Sequence, residues 1–186
     1  MIQTKRTILR PLSKSDAAAL FSYRSLPEVY RFQTWVPRDL DDALAFIVRY
    51  STDPPTAQGD WRQLGIRLRT DDALVGDCGF RVFAVGEAEI GYTIAPSHQR
   101  SGLGTEVVRA LVSHLFEAHR LQRLIARTDP ANLGSITILE RIGFRRVAPG
   151  RVSLCAGGEC EGDYVFSMRL EDWVTRARRG PSVAQR

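Results

Sequence analysis

The sequence predicts an α+β fold built on one mostly antiparallel sheet, and three features of the chain predict it. Residues 61–95 alternate apolar and polar side chains in three runs separated only by Thr70-Asp71-Asp72 and Gly86-Glu87, the spacing of a meander. A long helical stripe follows: Leu103, Val107, Val108, Leu111, Val112, Leu115 and Phe116. The remainder reads as strand, helix and closing hairpin. At 186 residues the chain is long enough for one sizeable core.

Taken in order, Thr7 to Leu12 alternates and forms the first strand, closed by Pro11. Ser13 to Asp16 opens a helix, with Asp16 near the positive end of its dipole, and Ala17, Leu20, Phe21 and Tyr23 turn inward. Pro27 interrupts that helix, Glu28 to Phe32 makes a short second piece, and Trp35-Val36-Pro37 is a loop. Asp39, Asp41 and Asp42 open a further helix with Ala43, Phe46, Ile47 and Tyr50 on one face. Asp53-Pro54-Pro55 ends it, and a flexible loop runs to Asp60. The meander is Trp61 to Arg69, Ala73 to Val85 and Glu89 to Ala95, with Gly76 and Gly79 as bulges or close-packing points. The long helix runs from about Gly102 to His119, and Arg123 to Thr128 is a strand ended by Asp129-Pro130. Asn132 caps the next helix and Gly143 stops it. Phe144 to Leu154 and Asp163 to Leu170 close the sheet as a hairpin, which brings the count to about seven strands. One domain is read over residues 1–172. Residues 173–186, with Arg176, Arg178 and Arg179, are read as a basic, disordered tail.

Composition excludes several classes. A hydrophobic share of 44% and a charged share of 25% are those of an ordinary globular protein. No apolar run approaches the ~20 residues that span a bilayer, and Met1 to Arg6 leads into an alternating strand, not a signal-peptide core. A cytoplasmic location is expected. Three cysteines fit a reducing compartment: Cys78 is read as core, and Cys155 and Cys160 as incidental thiols of a hairpin. No second Cys/His pair accompanies them, so no metal site is expected. The net charge of +5 is partly the tail, and no basic patch interleaved with aromatics points to nucleic acid.

The chemistry concentrates between Gly91 and Thr105, where a strand ends at Pro96, a polar loop follows and a helix opens on Gly102 and Gly104. Glycine costs ~1 kcal/mol against alanine inside a helix, somewhat less at its start. What two glycines offer there is bare backbone N–H at the positive end of a helix, an anion site suited to a phosphate or pyrophosphate. Gly104 is followed by Thr105 with no lysine, which excludes a Walker loop, and Val107 stands where a dinucleotide fingerprint needs its third glycine.

The remaining pattern, Gln99-x-x-Gly102-x-Gly104, resembles the acetyl-coenzyme A signature of the GNAT superfamily of N-acetyltransferases. A second segment, Asn132-x-x-Ser135 through Leu139-Glu140-Arg141-Ile142-Gly143-Phe144, resembles that family's C-terminal helix and stands in the right order after the first. Leu9-Arg10-Pro11, Trp35-x-Pro37 and Glu89-Ile90-Gly91-Tyr92 resemble most the RimJ/RimL branch, and the likeness covers Thr7 to Leu170. It implies a twisted sheet with helices on both faces and a splay between the fourth and fifth strands, 89–95 and 123–128. It implies acetyl-CoA as cosubstrate. Its arm would lie along Tyr92, Thr93 and Ile94, its pyrophosphate on the amides of Gln99, Arg100, Ser101, Gly102, Leu103, Gly104 and Thr105, with Arg100 as charge partner. Asn132 either bonds the arm, or caps its helix, or both.

The resemblance implies transfer of an acetyl group to a primary amine by direct attack. The amine is a protein N-terminus or a small molecule, and the oligomeric state, a homodimer included, stays open. Since such an amine is mostly protonated at neutral pH, a base is needed. Glu89 is the candidate, directly or through water, with a strand-face salt bridge as its other reading. Many relatives place a tyrosine acid where this chain has Leu139; Ser135, also placed near the cofactor, and Tyr164 are the proton-donor candidates that remain. Arg31, Phe32, Trp35 and the Gly157-Gly158 loop are expected to line the amine entrance. The missing tyrosine leaves a second reading, a degenerate acyl-CoA-binding sensor or scaffold.

Overall fold

A computed structural model describes residues 1–51, 59–149, 154 and 160–178. Its strands are β1 (Ile2–Gln3), β2 (Thr7–Pro11), β3 (Arg62–Leu68), β4 (Leu74–Ala84), β5 (Glu87–Ile94), β6 (Arg123–Thr128), β7 (Arg145–Val147) and β8 (Tyr164–Arg169). Its helices are α1 (Ala17–Arg24), α2 (Pro27–Tyr30), α3 (Leu40–Tyr50), α4 (Leu103–Ala118), α5 (Leu133–Ile142) and α6 (Leu170–Arg178). The strands form one sheet in the order β1-β2-β3-β4-β5-β6-β8-β7. Every neighbouring pair is antiparallel except β5 and β6. The sheet thus has eight strands, one more than expected. The extra one, β1, pairs Ile2 with Leu9 and is too short for alternation to reveal it.

The pleat of β3 explains the two layers. Leu64 and Ile66 join the core beneath α4, whose stripe from Leu103 to Phe116 is buried. Each such side chain contributes roughly 1.5–3 kcal/mol on burial. The alternate residues Gln63, Gly65 and Arg67 face the other way, toward α1 and α3. There Leu12, Leu20, Tyr23, Ala43, Ile47 and Ala95 make a smaller core. Asp39 caps α3 by accepting from the Asp42 N–H at 2.8 Å. Ser13 and Asp16 close a capping box, but over a short 3-10 turn, Lys14–Asp16, that precedes α1.

Two expectations are corrected. Residues 173–178 are not a disordered tail: α6 continues to Arg178, with Trp173 near Phe116 (ring centroids 6.4 Å apart) and Arg176 Nη2 donating to the Arg141 carbonyl at 2.9 Å. One tryptophan among charges is enough to anchor a last helix. Residues 179–186 lie outside the described residues. Cys160 is disulfide-bonded rather than an incidental thiol, while Cys78 is free and buried as expected. Cys155 and the Gly157-Gly158 loop lie outside the described residues. Among the described residues no helix is long and apolar enough to cross a membrane.

Candidate active site

β5 carries the site. On one edge it pairs with β4 from Ala84↔Glu87 to Gly76↔Ile94. On the other, the parallel ladder to β6 stops at Glu89↔Ile125. From Ile90 to Ile94 that edge has no neighbouring strand among the described residues, which leaves backbone groups for an extended ligand to meet. Tyr92, Thr93 and Ile94 all lie on this stretch, although the Ile94 carbonyl is taken by Gln99 Nε2 at 2.8 Å. The Thr93 side chain itself is buried, with no hydrogen-bond partner for its Oγ1 among the described residues.

Beyond β5 the chain turns through Pro96–His98 into the mouth of α4. Ser101 Oγ donates to the His98 carbonyl at 2.7 Å. Gly102 is the N-cap, with φ +77°, a conformation that costs other residues roughly 1–2 kcal/mol. It has no side chain to cap the helix, and the first intrahelical bond is Glu106 N–H to Gly102 C=O at 3.2 Å. The N–H groups of Leu103, Gly104 and Thr105 therefore have no acceptor inside the helix. Glu106 would oppose an anion there, but it is engaged: Arg6 donates to it from Nε at 2.7 Å and from its backbone N–H at 2.8 Å. Burial raises the Glu106 carboxyl, but bonds from Thr4 and Arg6 outweigh it and hold it below the ordinary range. Arg6 also donates to the Ser101 carbonyl at 2.9 Å, tying the start of β2 to the loop.

The two glycines do different work. Gly102 supplies the left-handed turn, and a Cβ there would meet only Arg6 Nη2, at 3.8 Å. At Gly104 a Cβ would stand 2.8 Å from Ile138 Cδ1 of α5, so its bareness also lets α4 seat against α5.

Where β5 and β6 part, a cleft of about 530 Å³ opens on the α1/α3 side. Glu89, Tyr92, Asn132, Ser135, Arg31, Phe32 and Trp35, all singled out from the sequence, line it. Tyr164 does not: its ring lies under the Arg146 guanidinium, 3.1 Å from the ring centroid. Leu139 is fully buried in the core. Glu89 is nearly sealed from solvent, with Arg81 Nε on one oxygen and Arg127 Nε on the other, each at 2.7 Å. Its ion-pair reading is therefore present in the structure. The Tyr92 and Ser135 hydroxyls meet at 3.0 Å, and burial pushes the Tyr92 phenol well above its ordinary range. Asn132 caps α5, accepting from the Ser135 N–H at 3.1 Å.

The rest of the cleft was not legible as a motif. Arg24 and Asp77, both buried, form an ion pair that Tyr23 joins through its hydroxyl at 2.7 Å, and Arg24 Nη1 reaches Gln33 at 3.2 Å. Trp35 stacks on Phe46 with centroids 4.1 Å apart, and the Arg24 guanidinium sits 5.6 Å from each ring. Asp163 stands 3.9 Å from Arg127 Nη1; burial, with Asp129 and Glu89 nearby, raises its carboxyl despite that arginine.

Residues 6–145 match the model of the acetyltransferase (GNAT) domain. The chain is 33% identical over 172 residues to an uncharacterised N-acetyltransferase of Bacillus subtilis strain 168, YoaA, covering 90% of this chain and 96% of that one. It superposes on a putative ribosomal-protein-serine acetyltransferase from Vibrio cholerae with a TM-score of 0.71 at 30% identity, over 90% and 96% of the two chains. Mycobacterium smegmatis RimJ, solved with CoA-disulfide, shares the fold with a TM-score of 0.71 at 21% identity, over 89% of this chain and 82% of that one. The parted strands, the open helix mouth and these matches agree: the chain belongs to the GNAT family of acetyltransferases, in its RimJ/RimL-like branch.

Proposed function

We propose that this acetyltransferase uses acetyl-CoA and acetylates a primary amine within one ternary complex. The single observation that carries the reading is the end of the β5–β6 ladder at Glu89, next to a helix start whose first amides have no acceptor inside the helix. The thioester arm lies along Ile90 to Ile94 as an added strand. The diphosphate rests on the Gly102–Thr105 amides, with Arg100 beside it. RimJ, which shares the fold and was solved with CoA-disulfide, supports the use of CoA by analogy. Acetyl-CoA dependence also suits a cytoplasmic location.

In the reaction the amine nitrogen attacks the thioester carbonyl carbon, a β5 N–H receives the oxyanion, and the C–S bond breaks. Asp163 takes the amine proton. A base is best held with its pKa moved toward neutrality, the direction in which Asp163 is displaced. Glu89, with both oxygens on arginines, is then a positioning residue that aligns Arg81 and Arg127. The Tyr92–Ser135 hydroxyl pair hydrogen-bonds the leaving sulfur, and the proton taken by Asp163 returns through solvent to the thiolate.

The test measures free thiol from acetyl-CoA against a panel of N-terminal peptides, polyamines and aminoglycosides, alongside calorimetric binding of CoA. Amine-dependent thiol release with saturable CoA binding is expected. No CoA binding overturns the reading. Binding without turnover replaces it with an acyl-CoA sensor, a reading that Leu139 at the tyrosine position favours.

A further inference from the structure

The reaction above places the amine beside Asp163, where β5 and β6 part, and leaves one wall of the cleft without a role. That wall is aromatic. Phe32, Trp35, Phe46, Tyr50 and Trp61 line it, supplied by the α2–α3 connection, α3 and the residue before β3. All five are half-buried, so each keeps side-chain surface that a ligand can reach. Single exposed apolar residues need no explanation, but five large rings gathered on one cleft mark a binding wall. Three of them are ordered by contact: Trp35 stacks on Phe46 with an interplanar angle of 11°, and Tyr50 meets Phe46 at 5.1 Å between centroids. Trp61 carries the aromatic surface to the reacting strand, since a Cβ on Gly91 of β5 would stand 3.4 Å from its ring.

Charge is divided along the same line. Among the described residues lining the cleft, every carboxylate comes from the strand side: Asp77 on β4, Glu89 on β5, Asp129 just after β6 and Asp163 just before β8. The aromatic wall contributes none. Asp77 is paired with Arg24, and Glu89 with Arg81 and Arg127. Asp129 and Asp163, the latter 3.9 Å from Arg127 Nη1, are left to face an ammonium. Each ring of the wall, by contrast, already has a guanidinium beside it. Arg24 lies 5.6 Å from the Trp35 and Phe46 centroids, Arg31 4.5 Å from Phe32, Arg49 5.0 Å from Tyr50 and Arg81 5.6 Å from Trp61. A second cation on the acceptor would meet like charge there and find no carboxylate to answer it. Resting on the transferase reading, we propose that the acceptor is a small arylalkylamine, a primary amine joined by a short chain to a flat, uncharged ring, and that Trp35 is a specificity-determining residue for that ring. The amine keeps to the carboxylate side and reaches the thioester at the β5 edge. The ring lies against the aromatic wall, where it gains stacking contact and takes apolar surface of both partners out of water.

The experiment compares kcat/KM for 2-phenylethylamine, 2-cyclohexylethylamine, n-butylamine, 1,5-diaminopentane and a phenylalanine-initiated tetrapeptide in the wild type and in Trp35→Leu. The wild type is expected to favour 2-phenylethylamine over n-butylamine and over the diamine by about tenfold or more, and over the saturated ring by about threefold. Trp35→Leu is expected to lower the phenylethylamine-to-butylamine ratio by about fivefold or more. CoA affinity serves as the folding control, and Tyr50→Leu, in the same row of rings, is a second variant expected to lower the ratio. Binding of 2-phenylethylamine to the CoA-saturated protein is also measured by calorimetry, which needs no turnover. A wild type indifferent to the ring, a diamine or peptide preferred over 2-phenylethylamine, a saturated ring accepted as well as the flat one, or a ratio untouched in both variants overturns the proposal and leaves the transferase reading standing. A ring amine whose binding depends on Trp35 but which is never acetylated supports the seat and removes the transferase reading instead.

Discussion

The mouth of α4 and the cleft beside β5 are joined by one strand, yet they are built in opposite ways. The mouth is local: Gly102 and the amides of Leu103 to Thr105, which have no acceptor inside the helix, lie within four consecutive residues, and the working groups are backbone. The cleft is assembled from α1, α3, β3, β4, β5, β6 and α5, and its working groups are side chains. Their charges also differ. The mouth presents the positive end of a helix, with Glu106 engaged by Arg6, whereas the cleft is lined by an excess of carboxylates. A backbone device can be shared by many chains that use one cofactor. A side-chain device is free to differ with each acceptor.

The expected effects of substitution follow that division. Asp163→Asn in the cleft is expected to lower kcat about 10²–10⁴-fold and to remove the limb of the pH–rate profile on which activity rises as its carboxyl ionises, with CoA affinity unchanged. Glu89→Gln is expected to keep that limb. If the two profiles exchange behaviour, the base is Glu89.

Arg24→Met leaves the Asp77 carboxylate buried without its ion partner and is expected to destabilise the fold by about 3–5 kcal/mol, measured by urea unfolding. Retained stability would show that this wall of the cleft carries no strain of charge.

At the mouth, Gly104→Ala puts a methyl group 2.8 Å from the far end of the Ile138 side chain on α5. It is expected to cost about 1–3 kcal/mol and to be rescued in part by Ile138→Ala. If access of the ligand were the reason for Gly104, the second substitution would restore nothing.

The smallest effect separates both regions from the scaffold. Burial raises the Asp16 carboxyl, but the Ser13 N–H and the Arg67 guanidinium outweigh it and hold its pKa below the ordinary value. Its stabilising contribution is therefore fully present above the unfolded carboxylate value, about 3.9, and is lost as pH falls through the lower folded value. In Asp16→Asn, that part of the acid destabilisation is expected to disappear.

The same division explains what could be read from the chain. The meander, the α4 stripe and the caps at Asp39 and Asn132 follow from periodicity and local chemistry, and the structure has them. The glycine mouth was legible because its parts are contiguous, although the contact a Cβ at Gly104 would make is with Ile138, 34 positions away. The ion pair of Arg24 with Asp77 has no local signature: it depends on α1 packing against β4. Glu89 showed as a polar residue in an apolar strand, but its two arginines come from β4 and β6. The helical end at α6 was hidden by charge, since only Leu170 and Trp173 among its described side chains pack against the core.

The most direct measurement is a titration of the isotope-labelled protein with CoA, followed by backbone amide NMR. The largest shifts are expected at Gly102 to Thr105 and at Ile90 to Ile94, saturating together at one affinity. Saturable CoA binding that leaves both stretches unmoved would contradict the account.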